Sequence, residues 1–175
     1  MLPLVFLLGL PFLLPEGMVN GMFKELPFQL HPYFALLIGI ALVYFPFGLL
    51  LIEKLRPGGN PDNVDPRKAT AAMAEERPYI AHCVAAHNNM LEGFSFFVGG
   101  VLAAMAAGVK TETVASYCSL WLVLRSLYIL FYIVEKISLG GSLRTLMFAL
   151  VLGVQGKLFY MAAYAANGDK LLLYN

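Results

Sequence analysis

The side chains able to do chemistry gather in two otherwise apolar stretches. One holds His82, His87, Asn88, Asn89, Glu92 and Ser95; the other holds Arg125, Tyr128 and Tyr132. On a helix, His82, Asn88, Asn89, Glu92 and Ser95 share one face about 140° wide over roughly four turns, and His87 falls off it. By the same count Cys118, Trp121, Arg125, Tyr128 and Tyr132 form a second stripe. A guanidinium, a carboxylate, amides and phenols brought together would make a polar cavity inside the span. Glu92 is the acid well inside the first stretch, and Arg125 is the base inside the second. The simplest arrangement pairs them across two helices, as an ion pair that also sets helix register. No metal is expected: His82 and His87 are five apart and do not share a face. No hydroxyl–His–acid grouping points to a hydrolase, and no Gly-rich loop follows a strand. Cys83 and Cys118 lie in apolar segments and read as small apolar residues.

The elements that must position these groups follow from composition. The chain has 175 residues, of which 59% are apolar and 13% charged, with a mean hydropathy of +0.72. A soluble domain carries about a quarter charged residues, so a water-soluble globule is excluded, as are disordered, coiled-coil and collagen-like chains. A net charge of +1 excludes a nucleic-acid partner, which would need a basic surface. Four stretches are long enough to span a bilayer: residues 33–52, a run inside 80–108, 114–134 and 143–166. They are continuous rather than alternating, so they read as helices and not barrel strands. Pro46 should kink the first. Asp65 and Pro66 should cap a second helix that starts in water, bends at Pro78 and then enters the bilayer. Lys157 lies deep in the fourth span and should face a polar cavity or a subunit interface.

The expected fold is an all-α integral membrane protein: a four-transmembrane-helix, up-and-down bundle over residues 31–175, preceded by an apolar N-terminal arm over residues 1–30. Residues 2–14 are too short to span and carry Pro3 and Pro11, so they read as an extended or interfacial arm. Lys54, Arg56, Arg67, Lys68, Arg77, Lys136 and Arg144 flank the 1–2 and 3–4 connections, against Lys24, Lys110 and Lys170 at the opposite ends. The long 1–2 loop should therefore face the cytoplasm or its equivalent, with both termini on the other side.

The run Ala85-Ala86-His87-Asn88-Asn89-Met90-Leu91-Glu92-Gly93-Phe94 resembles the second-helix signature of the MAPEG family, the membrane-associated proteins in eicosanoid and glutathione metabolism. Its Ala-His-x-Asn-x-x-Glu pattern is similar to the bacterial-type branch. Trp121-x-x-x-Arg125-x-x-Tyr128-x-x-x-Tyr132 on the third span resembles a second family motif, as do Leu143-Arg144 opening the fourth span and Asp65-Pro66-Arg67 before the second. The resemblance implies a homotrimer that binds glutathione between neighbouring subunits, on the side of the 1–2 loop. It implies glutathione contacts from Asn89, Glu92, Arg125 and Tyr128, with His82 near the place where the bacterial-type branch has an arginine. It also implies that Glu92 pairs with Arg125. In catalysis Arg144 would be the cation that lowers the thiol pKa, and Tyr132 a hydrogen-bond donor.

Two departures stand out. Ala85 occupies the place of a glutathione-gripping arginine, and Arg144 follows Tyr132 by twelve residues, a few later than the family spacing. Without one charge-assisted hydrogen bond, anionic glutathione would bind about tenfold to a hundredfold more weakly, at roughly 1.5–3 kcal/mol per bond. Two functions are therefore expected to compete. One is a glutathione-dependent transferase or peroxidase acting on lipophilic substrates. The other is a non-catalytic member of the fold: a lipid-binding protein, or an accessory subunit held by foreign subunits of a respiratory or photosynthetic complex, with the N-terminal arm as docking element.

Overall fold

A computed structural model of the chain describes residues 15–24, 30–59, 64–133 and 140–168. Six helices lie among the described residues: α1 Glu16–Lys24, α2 Pro32–Leu55, α3 Pro66–Glu76, α4 Pro78–Ala106, α5 Thr111–Ile133 and α6 Gly140–Asn167. Four of them, α2, α4, α5 and α6, are long and apolar enough to cross a membrane. The protein is an all-α, multi-pass membrane bundle.

Local chemistry sets the helix ends. His31 accepts from the Tyr33 amide at 3.3 Å and Pro32 opens α2. Asp65 accepts from the Lys68 amide at 3.2 Å and Pro66 opens α3, as the sequence predicts. The α4 C-terminus closes through Gly108 at φ +78, with Val109 N–H donating to the Ala104 carbonyl and Gly108 N–H to that of Met105. That is a Schellman turn, whose left-handed residue favours glycine. The expected bent second helix is instead two helices. Arg77 sits at φ −136, ψ 87, ending α3, and Pro78 starts α4. A proline ring disfavours helical geometry in the residue before it, so the segment breaks rather than bends. α2 runs on through Pro46, which is buried.

The core forms around α5. Of its apolar stretch 67% is buried, against 28% for α2, so α5 is the axis and α2 leaves most of its surface uncovered by the rest of the chain. α5 packs on α1, α2, α4 and α6. Phe97 of α4 stacks on Trp121 of α5 at 4.0 Å and 5°, and Phe94 tilts against the same indole at 6.0 Å. Glycines admit these close approaches. A Cβ on Gly39 would lie 2.5 Å from the Phe94 ring, and one on Gly100 3.1 Å from the Leu158 Cβ.

The two ends of the bundle are closed differently. At the end bearing the 1–2 loop, the Glu53 carboxylate accepts from Arg56 and from Arg77, each at 2.8 Å, tying the exit of α2 to the start of α4. The hydrogen bond to Glu53 and its negative charge hold the Arg56 guanidinium above its ordinary pKa. At the other end α1 lies on α5. Val19 is fully buried, Asn20 Nδ2 donates to Thr113 Oγ1 at 3.4 Å, and Thr113 Oγ1 donates to Glu16 at 3.2 Å. Part of the expected arm is thus a helix docked on its own bundle; residues 2–14 lie outside the described residues.

Candidate functional site

Three helices assemble a continuous run of cations and rings. α6 brings Arg144, whose guanidinium carbon lies 4.5 Å over the Tyr132 ring of α5. Tyr132 meets Tyr128 edge-on at 5.5 Å and His82 of α4 edge-on at 6.1 Å. Arg125 lies 5.3 Å over Tyr128 and 5.6 Å over Trp121. The sequence places Tyr128 and Tyr132 four apart, hence on one face of α5, with Arg125 one turn below. The delayed position of Arg144 in the chain does not keep it away, because α6 packs along α5 and returns it to Tyr132.

The run grades from accessible to sealed. Arg144, Tyr132 and His82 are half-buried, whereas Tyr128 is 3% and Arg125 0% exposed. Arg144, Tyr132 and His82 are therefore the accessible members of the run, with Arg125 one layer behind Tyr128. Cation–π contact is the main support of that guanidinium, since Nε, Nη1 and Nη2 have no hydrogen-bond partner among the described residues.

The expected Glu92–Arg125 pair is not closed within the chain among the described residues. The reason is Gly93: a Cβ there would overlap Arg125 Nη2, so the missing side chain is the slot the guanidinium fills. Arg125 thus lies against the α4 backbone, and Glu92, one residue earlier and about 100° away around the helix, is exposed. Asn89 is half-buried and its amide donates to the Ala85 carbonyl at 3.0 Å. His87 stands apart from the run, with Nδ1 2.8 Å from the Val43 carbonyl and its ring between Tyr44 and Phe47.

Gln155 is a member of this layer that the motifs missed. Its Nε2 donates to the Gly93 carbonyl at 2.6 Å, so α6 grips α4 at the residue that makes room for Arg125. The available signal was a lone amide in an apolar span, which seldom stays without a partner in a bilayer. A separate cleft of about 800 Å³ opens between α2, α3 and α4, lined among others by Lys54, Arg67, Leu50 and Phe47. It does not include the Arg144–Tyr132 pair.

The donor set can be tested against glutathione, the cofactor the motifs imply. The tripeptide carries two carboxylates and a thiol. A half-buried guanidinium beside two phenols suits one anionic group, and the exposed carboxylate of Glu92 suits a positively charged amine. The residues fit part of the molecule from one chain. No curated protein and no solved structure gives a significant match to this chain. The MAPEG family profile matches residues 32–164, which takes in α2 through most of α6 and every member of the run described above. This four-span bundle is a member of the MAPEG family.

Proposed function

We propose that the protein is a glutathione-dependent transferase or peroxidase acting on lipophilic substrates met in the bilayer. It would work as a homotrimer whose 1–2 loop faces the cytoplasm or its equivalent. The observation that carries this reading is the Arg144 guanidinium 4.5 Å over Tyr132, continuous with Tyr128 and His82. Bound glutathione would supply a sulfur nucleophile. Arg144 supplies the fixed positive charge that favours an anionic sulfur, and its seat on Tyr132 orients it without spending its hydrogen-bond donors. The Tyr132 phenol supplies a donor beside it, and His82 packs the ring in place. Asn89 and Glu92 line the outward face of α4, where a neighbouring subunit completes the site. Arg125, with Gln155 and Gly93, sets the register of α4, α5 and α6 behind it.

The accessory reading has one observation in its favour. Ala85 stands where the family motif has an arginine, and its carbonyl takes up the Asn89 amide. Calorimetry on the detergent-purified protein separates the two. Micromolar-to-millimolar glutathione binding that Arg144→Ala weakens about tenfold to a hundredfold supports the enzyme. No binding up to about 10 mM, well beyond the weak millimolar class, overturns it in favour of the accessory role.

A further inference from the structure

The end of the bundle away from the 1–2 loop holds a second polar cavity that the proposed chemistry does not use. Its volume is about 340 Å³, and Glu16, Lys110, Thr113, Lys157, Tyr160 and Tyr164 line it. Lys157 is the informative residue. It starts ten residues before the end of α6, about 15 Å along the axis, and so within the apolar span. Lys157 Nζ lies 5.1 Å over the ring of Tyr160, and both side chains line the cavity. Lys110, exposed just before α5, lines the same cavity, so the two lysines share it. Glu16 shares the cavity, but its carboxylate accepts from Thr113 at 3.2 Å, and the two lysines outnumber it.

We infer that this cavity binds the phosphodiester headgroup of an anionic membrane phospholipid. Two ammonium groups in one cavity match a phosphate at the polar boundary through charge-assisted hydrogen bonds, and the Met161 and Ala165 sides of the cavity match the start of an acyl chain. A free anion in water would need only the exposed Lys110, whereas a lipid also covers the apolar wall of the cavity beside Lys157. The inference does not depend on glutathione chemistry, which lies toward the opposite end.

The test is native mass spectrometry of the full chain in detergent, titrated with an equal mixture of phosphatidylglycerol and phosphatidylcholine. Wild type should retain phosphatidylglycerol preferentially. Lys110→Gln and Lys157→Met should each reduce that preference about fivefold, and Lys54→Gln, at the far end, should not. Glu16→Gln keeps an acceptor for Thr113 while removing the negative charge, so it should raise retention. Lys110 is exposed, so its variant is readable even where Lys157→Met fails to fold. An unchanged preference in Lys110→Gln, or lower retention in Glu16→Gln, overturns the assignment. So does displacement of the lipid by inorganic phosphate at about 10 mM, which would identify a free-anion site.

Discussion

Two arginine sites in this bundle solve opposite problems. At the membrane boundary Arg77 donates to Glu53 at 2.8 Å, with side chains 30% and 14% exposed, and Arg56 shares the carboxylate. Water and counter-charge are both at hand there, so the pair staples α2 to α4 at little cost and little gain. In the interior Arg125 is fully buried, without a hydrogen-bond partner among the described residues. It lies over two aromatic faces and against the bare backbone of Gly93. The difference shows that an interior cation need not define its site through a carboxylate. Shape can do it: rings on its own helix and a glycine on the next.

This contrast can be broken most forcefully at Trp121, which carries both the Phe97 stack and one face of Arg125. Trp121→Ala should lower stability by about 3–5 kcal/mol, read as detergent unfolding followed by circular dichroism. A loss below about 1 kcal/mol would show that the aromatic seat is dispensable. Gly93→Ala should come next, at about 1–3 kcal/mol, because the new Cβ occupies the position of the guanidinium. Here the comparison can be sharpened by a double-mutant cycle. Arg125→Met retains bulk without the fixed charge, so it should be neutral or stabilising by itself and should rescue most of the Gly93→Ala loss. Additive losses would mean that the slot and the arginine are unrelated.

A destabilising Arg125→Met would place a counter-charge on Arg125 after all, and Glu92 of a neighbouring subunit would then be the first partner to test. The smallest effect belongs to the boundary. Arg77→Ala should cost about 0–1 kcal/mol, shrinking further in high salt. A loss as large as that of Gly93→Ala would erase the distinction between the two sites.

Much of this architecture was legible in the residues. Hydropathy over about 20 residues marks a span wherever the chain folds, because the bilayer itself is the partner. The Asp65-Pro66 cap and the shared face of Arg125, Tyr128 and Tyr132 depend only on local geometry. The family motifs lie on the helices where they are found. Proline chemistry at Pro78 was also local: the ring keeps Arg77 out of helical geometry, so the segment breaks where a bend was expected.

Contacts between helices were not legible in the same way. The two interior charges of opposite sign suggested each other, yet Glu92 faces outward while Arg125 enters the Gly93 slot. The spacing of Arg144 suggested displacement, yet α6 delivers it to Tyr132. Gln155 and Lys157 looked like two interruptions of one span, but one grips α4 and the other lines a cavity together with Lys110. A sequence determines which face of its own helix a side chain occupies. What that face meets depends on helix order, axial register and the places where a missing Cβ lets backbones approach, and these are settled only when all four spans pack at once.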